Sequence, residues 1–151
     1  MRISAKADYA VRAAIELAGS GDEPIKGEKL ADAQDIPLQF LEHILLELKH
    51  ARLVRARRGA RGGYWLAKPP EEITLADLIR AVEGPIAHVQ SSPPESIEYR
   101  GNAEHLQEVW IAVRASLRRV LERVTVADLR AGNIPPEVLA MTEDEGAYIT
   151  R

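Results

Sequence analysis

The segment Lys49-His50-Ala51-Arg52-Leu53-Val54-Arg55-Ala56-Arg57-Arg58-Gly59-Ala60-Arg61-Gly62-Gly63-Tyr64-Trp65-Leu66-Ala67-Lys68 joins the end of a helical pattern to a hairpin pattern. Residues 49–70 hold seven Lys/Arg and no Asp or Glu. Two short apolar pieces, Leu53-Val54 and Tyr64-Trp65-Leu66, flank an Arg/Gly tip, as in a β-hairpin. Glycines at 59, 62 and 63 allow a turn that bulkier residues would strain. The whole chain has a formal net charge of −3, so this local positive excess needs a reason. A polyanion supplies one, and nucleic acid is the first polyanion to consider. A solvated charged loop is the commoner origin of such a run. The elements just upstream weigh against that here.

Upstream, residues 28–34 form a short helical pattern, Asp35-Ile36-Pro37 breaks it, and a second helix runs from Leu38 to about Ala51. Pro37 suits a helix start, where its missing N–H would have no partner. Leu41, Ile44, Leu45 and Leu48 make the inner stripe, while Gln39, Glu42, His43, Leu46, Lys49 and His50 point elsewhere. Helix, tight turn, helix and basic hairpin are the order of a winged helix-turn-helix. Ser4 caps an earlier helix reaching Ala18, with Ala7, Ala10, Val11, Ala14, Leu17 and Ala18 on one face. Thr74-Leu75-Ala76-Asp77 opens another helix through a capping box and ends before Gly84-Pro85. Residues 84–101 read as a loop rich in Gly, Pro and Ser. Leu106, Trp110, Val113, Leu117, Val120 and Val124 then form an a/d seam over about 19 residues, roughly 30 Å of helix. Thr125-Val126-Ala127-Asp128 starts a short helix that Gly132 ends. The expected class is mostly α with a small β-wing. It divides into a winged helix-turn-helix over residues 1–83, an effector loop over 84–101, a dimerisation helix and short following helix over 102–132, and a flexible tail over 133–151.

The charge is unevenly spread. Residues 1–70 hold 12 Lys/Arg and 9 Asp/Glu, a net of +3, whereas residues 71–151 hold 8 and 14, a net of −6. The front half is therefore the nucleic-acid candidate. The 151 residues include no cysteine, which excludes disulfides, thiolate metal sites and cysteine nucleophiles. No apolar run approaches ~18 residues and the start lacks a signal-peptide core, so a cytoplasmic protein without a membrane partner is expected. No phosphate-binding glycine loop, H-E-x-x-H or G-x-S-x-G is present, so no enzyme is expected. His88, Glu98, Glu104 and His105 are irregularly spaced, and exposed loop residues are the commoner explanation for such a set than a metal site.

For DNA, Arg55, Arg57, Arg58 and Arg61 can neutralise phosphates, and Arg58 is the candidate to enter the minor groove or pair with a guanine edge. On the second helix Gln39 can serve adenine and Glu42 can accept from a cytosine amine, although an exposed glutamate is ordinary on any helix. His43 and Lys49 complete that face. Lys6 and Tyr9 can reach phosphate from the first helix, with core packing the alternative for Tyr9. The a/d seam, with Trp110 as anchor, fits a two-fold partner, because DNA readers of this size usually need two half-sites. Covering the winged-helix core is the simpler alternative.

Five blocks in order resemble the bacterial Rrf2 family of winged-helix transcription regulators. They are residues 2–13, 36–42, 57–64, 72–77 and 124–129. The resemblance implies a homodimer on a palindromic operator, with the long helix crossed between subunits. Cluster-bearing members of that family place three cysteines in the loop before the long helix. The matching positions here fall near Ser92, Glu98 and Glu104, and a fourth ligand of some members falls at Gln107. Iron–sulfur clusters need soft sulfur ligands, so no cluster and no other cofactor are expected. Cluster-free relatives include regulators of cysteine and sulfur metabolism that answer to a metabolite or a protein, and the resemblance is stronger to that branch. The expected function is a sequence-specific repressor of that kind. The rivals are a non-specific architectural DNA binder and a protein–protein adaptor using the a/d helix.

Overall fold

Residues 2–150 are described by a computed structural model of the chain. Seven α-helices and one two-stranded sheet follow in the order α1 (Ala5–Ala18), α2 (Gly27–Gln34), α3 (Leu38–His50), β1 (Val54–Arg57), β2 (Gly63–Leu66), α4 (Leu75–Glu83), α5 (Leu106–Leu121), α6 (Val126–Ala131) and α7 (Pro136–Ala140). The class is the expected one, helical with a small antiparallel wing. Among the described residues no helix is long and apolar enough to cross a membrane.

The core forms around α1. Ala7, Ala10, Ala13, Ala14 and Leu17 are all buried, and four alanines on one face let neighbouring helices approach closely. α1 packs on α2, α3, α4 and α6. Ser4 caps it as expected, accepting from the Ala7 N–H at 3.0 Å. Against this face α3 presses Leu41, Ile44, Leu45 and Leu48, each fully buried. Burying a side chain of that size contributes about 1.5–3 kcal/mol relative to leaving it in water. The break between α2 and α3 is made by Asp35 in the left-handed region at φ 51° and by buried Ile36, whose N–H donates to Ala31 at 3.0 Å. Arg12 on α1 donates to the Gln34 carbonyl and side-chain oxygen, which ties the end of α2 to the core helix.

The wing is slightly longer than its apolar residues suggest, because backbone pairing runs on into the arginines. Val54 faces Leu66, Arg55 faces Trp65, Ala56 faces Tyr64, and Arg57 faces Gly63. Ile25, just ahead of α2, adds a third rung: its N–H donates to Tyr64 at 2.9 Å and the Tyr64 N–H donates back at 2.8 Å. Two glycines make this possible. A Cβ on Gly62 would lie 2.0 Å from the Arg57 carbonyl oxygen, and one on Gly63 would lie 2.5 Å from that of Ile25. Gly63 also has a φ of 145°, open only to glycine at little cost.

The two T-x-x-D boxes form as expected, with Thr74 accepting from Asp77 and Thr125 from Asp128. They also meet each other. Leu75 N–H donates to Val124 at 3.0 Å and Val126 N–H to Ile73 at 2.9 Å, closing an antiparallel bridge between residues 74 and 125. The chain thus leaves the packed body after α4 through residues 84–105 and returns along α5 to place α6 on α1. This corrects the reading of Val124. α5 ends at Leu121, and Val124 is buried at 3% exposure beside the bridge, so it is a body residue and not the end of a helical seam. The helix is 16 residues long, or about 24 Å. The tail also differs from expectation: Pro135-Pro136 starts α7, and Glu137 on it pairs with Arg123 just past α5.

Replacing Gly63 with alanine forces a sparsely allowed backbone and a clash with Ile25, at a cost of at least about 1–3 kcal/mol. Thermal unfolding should show a lowered melting temperature with helical circular dichroism retained, since the damage is confined to the wing.

Candidate nucleic-acid interface

With the stripe of α3 turned inward, its other faces are fixed. Gln39, Glu42, His43 and Lys49 are all exposed. Gln39, Glu42 and His43 border one shallow concavity together with Phe40 and Leu46. Glu42, Leu46 and Lys49 also form one wall of a groove of about 420 Å³ whose opposite wall is the wing, through Arg57, Arg58 and Gly59. The first residues of α2 close its end. The helix and hairpin suggested by the sequence therefore share one surface.

The arginines do not all play one part. Arg57 donates to the Arg61 carbonyl at 2.9 Å and braces the tip from within. Lys26 donates to the Gly59 carbonyl at 2.5 Å and ties the tip to the start of α2. Arg55, Arg58 and Arg61 are exposed, and no carboxylate pairs with them among the described residues. Unpaired guanidiniums on a rigid hairpin are well suited to phosphate, which they can grip through two parallel hydrogen bonds.

Lys6 and Tyr9 sit differently. The Lys6 ammonium lies 2.8 Å from Glu47, anchoring α1 to α3. The Tyr9 ring meets Phe40 edge-on at 5.7 Å and carries the Arg12 guanidinium 5.2 Å from its centroid. Both are half-buried joints between α1 and the helix-turn-helix. Neither reaches into the groove between α3 and the wing.

Several residues escaped the sequence reading. Lys26 is 33 positions from the carbonyl it holds, so no local pattern reveals it. Leu46, 47% exposed, and Phe40, 42% exposed, are apolar side chains on the polar side of α3; their break in the amphipathic pattern was the available signal. An exposed leucine there can meet a thymine methyl. Tyr64 projects from β2 into the groove. Burial, and after it the carboxylates of Glu42 and Glu28, push its hydroxyl above the ordinary value of 10.0. The phenol therefore stays protonated as a hydrogen-bond donor beside Glu42.

The loop before α5 is held by ordinary polar contacts. The Gln107 amide donates to the carbonyls of Ile97 at 2.8 Å and Glu95 at 3.2 Å. Arg114 pairs with Glu95 at 2.7 Å. Ser92, Glu98, Glu104 and Gln107 offer hydroxyl, carboxylate and amide groups, and the chain has no thiolate at all. That donor set does not fit an iron–sulfur cluster. Near His105 are Glu104 at 3.4 Å and Glu108 at 3.5 Å. Among the described residues no three His, Asp or Glu side chains form a group able to hold a metal ion.

A winged helix-turn-helix with an exposed cationic hairpin beside the polar face of α3 is the fold of a DNA-binding transcription regulator. Comparison with known proteins makes the assignment specific. The pattern of the family described as Rrf2, iron-dependent transcriptional regulator, matches residues 3–132, and the chain belongs to that family. A helix-turn-helix transcriptional regulator of Mycobacterium tuberculosis is 46% identical over 145 residues, covering 95% of this chain and 90% of the relative. The regulator CymR of Bacillus subtilis is 38% identical over 130 residues, covering 85% and 89%. The solved structure of that CymR, described as a global cysteine regulator, superposes with a TM-score of 0.72 at 35% identity, covering 87% of this chain and 97% of the other. The structure of IscR from T. potens superposes with a TM-score of 0.67 at 29% identity, covering 100% and 93%. These relatives are named as regulators, and the chain is a transcription regulator, not an enzyme.

Two substitutions separate grip from reading. Arg58→Ala should weaken binding to all duplexes alike and reduce the slope of log affinity against log salt by about 1. Glu42→Ala should leave that slope unchanged and alter base preference at one position by about 1–3 kcal/mol. Fluorescence anisotropy over a salt series with matched and mismatched duplexes measures both.

Proposed function

We propose that this regulator is a homodimeric repressor of a palindromic operator, acting without a cluster and answering to a metabolite or protein effector. The observation that carries the proposal is the shared surface of α3 and the wing. Glu42 is the acid of α3 in that groove, facing Lys26, Lys49, Arg57 and Arg58, with Glu28 of α2 the second acid of the lining. A carboxylate there costs repulsion from every phosphate, so its place is favourable only where a base donor compensates. That is a device for selectivity, and it argues against an architectural binder. In this reading Gln39, Glu42, His43 and Leu46 meet base edges, Lys49, Arg55, Arg58 and Arg61 meet backbone or minor groove, and Arg57 holds the tip in shape.

Dimerisation is supported by the state of α5. A 16-residue helix with no fully buried residue has not found its whole partner within one chain. Leu106, Trp110, Val113, Leu117 and Val120 are half-buried, and Val109 is 52% exposed beside them. A second copy of the helix would cover that surface and set two reading heads about one helical turn of DNA apart. Control of sulfur or cysteine metabolism is the natural assignment, given the likeness to the cysteine regulator of B. subtilis.

Selection of bound DNA from a random pool tests the reading. Recovery of an inverted repeat with half-sites one turn apart is expected, and sequences without a consensus would overturn it. Trp110→Glu should convert the protein to monomers in sedimentation and lower operator affinity at least tenfold, while single half-site binding persists.

A further inference from the structure

A second basic cleft lies away from the DNA surface, where the last helix of the winged body meets the long helix. Arg80 enters it from α4, Pro85, Ile86 and His88 from the segment that follows, and Arg114 and Arg118 from α5. It encloses about 310 Å³, within the range of small-molecule sites. Three guanidiniums and an imidazole line it, and no carboxylate does. Residues 71–151, which supply all of them, carry a net charge of −6. The clustering of cations therefore runs against the local composition.

The guanidiniums are held in place by acids outside the lining. Arg80 and Arg118 share one oxygen of Glu122, the Arg118 contact being 2.8 Å. Arg114, its side chain only 19% exposed, is held by Glu95 at 2.7 Å. Each guanidinium has five N–H donors, so one carboxylate contact apiece leaves donors free for another oxyanion. The two pairs on Glu122 are partly open to water and contribute little by themselves, so an entering anion can share or displace them. The bordering loop carries stored strain: Ala87, Gln90 and Ser91 have φ of 55°, 50° and 65°, a region that non-glycine residues seldom occupy.

We propose that this cleft binds a compact anionic metabolite. Its carboxylate or phosphate groups are held by Arg80, Arg114 and Arg118, and its carbon part lies on Pro85 and Ile86. The site joins α4, the end of the DNA-binding body, to α5, so occupancy changes the angle between the two. That consequence rests on the reading of the protein as a dimeric DNA binder; the binding itself does not.

Full-length protein is titrated by calorimetry with succinate, citrate, inorganic phosphate and sulfate, at ionic strength matched with chloride. Saturable binding of at least one oxyanion, one per chain, is expected, weakened tenfold or more in Arg114→Gln and in Arg80→Gln. The dicarboxylate and phosphate arms distinguish the two headgroups. The same anion should shift operator affinity in the wild-type protein and not in the variants, a comparison that removes the general salt effect on DNA binding. Unchanged helical circular dichroism shows that the variants fold. Absence of saturable heat for all four anions, or heat indifferent to both substitutions, in protein that binds its operator overturns the cleft and leaves the DNA reading standing. Failure of ligand-free protein to bind any duplex overturns that reading instead, and the calorimetry still decides the cleft.

Discussion

One helix face governs the rest of this molecule. α3 has a single apolar stripe, and Leu41, Ile44, Leu45 and Leu48 are fully buried against the α1 core. Rotating the helix by one residue would turn Leu41, Ile44 and Leu48 out and bring Glu42 and Lys49 in, at a cost comparable to the whole stability of an ordinary small domain. The outward face is therefore decided by what faces inward. The alanine face of α1 makes that contact tight, and Lys6, Tyr9 and Arg12 hold its edges. The groove between α3 and the wing is thus shaped by residues that never touch its lining.

The wing shows the same economy. Its two strands are only four residues each, and a bare hairpin of that length is marginal in water. Ile25 supplies backbone pairing from one side, Lys26 holds the tip, and Arg57 spans it from within. A rigid tip matters electrostatically, because a phosphate contact made by a loop already ordered does not have to offset the entropy of ordering it. The acidic second half of the chain keeps the net charge low and leaves the positive excess with residues 1–70.

Much of this was legible in the sequence because it is local. Caps, the 3.6-residue stripe on α3, the a/d seam and the glycine–arginine tip are written in neighbouring residues, and they place six of the seven helices and the hairpin. The failures share a different cause. Val124 fits an a/d spacing, yet its place is decided by a bridge to residues fifty positions earlier. Lys6 looks like a free cation until α3 brings Glu47 beside it. Lys26, Leu46 and Tyr64 join the groove only after three separate elements have packed. The absence of any thiolate, by contrast, needed no structure at all.

The bridge between residues 74 and 125 makes the DNA-binding body discontinuous in sequence. Its last helix arrives only after the chain has travelled out and back through some forty residues, so a cut after α4 would strip α6 from the core and leave α1 uncovered. An autonomous half-size reader cannot be had by truncation; it would require a linker running from residue 83, at the end of α4, back about 12 Å to residue 124 beside its start. Conversely, the excursion can vary in length and content while both of its ends stay clamped. A fold with that topology can keep its packed body unchanged while exchanging what hangs between the two clamped ends.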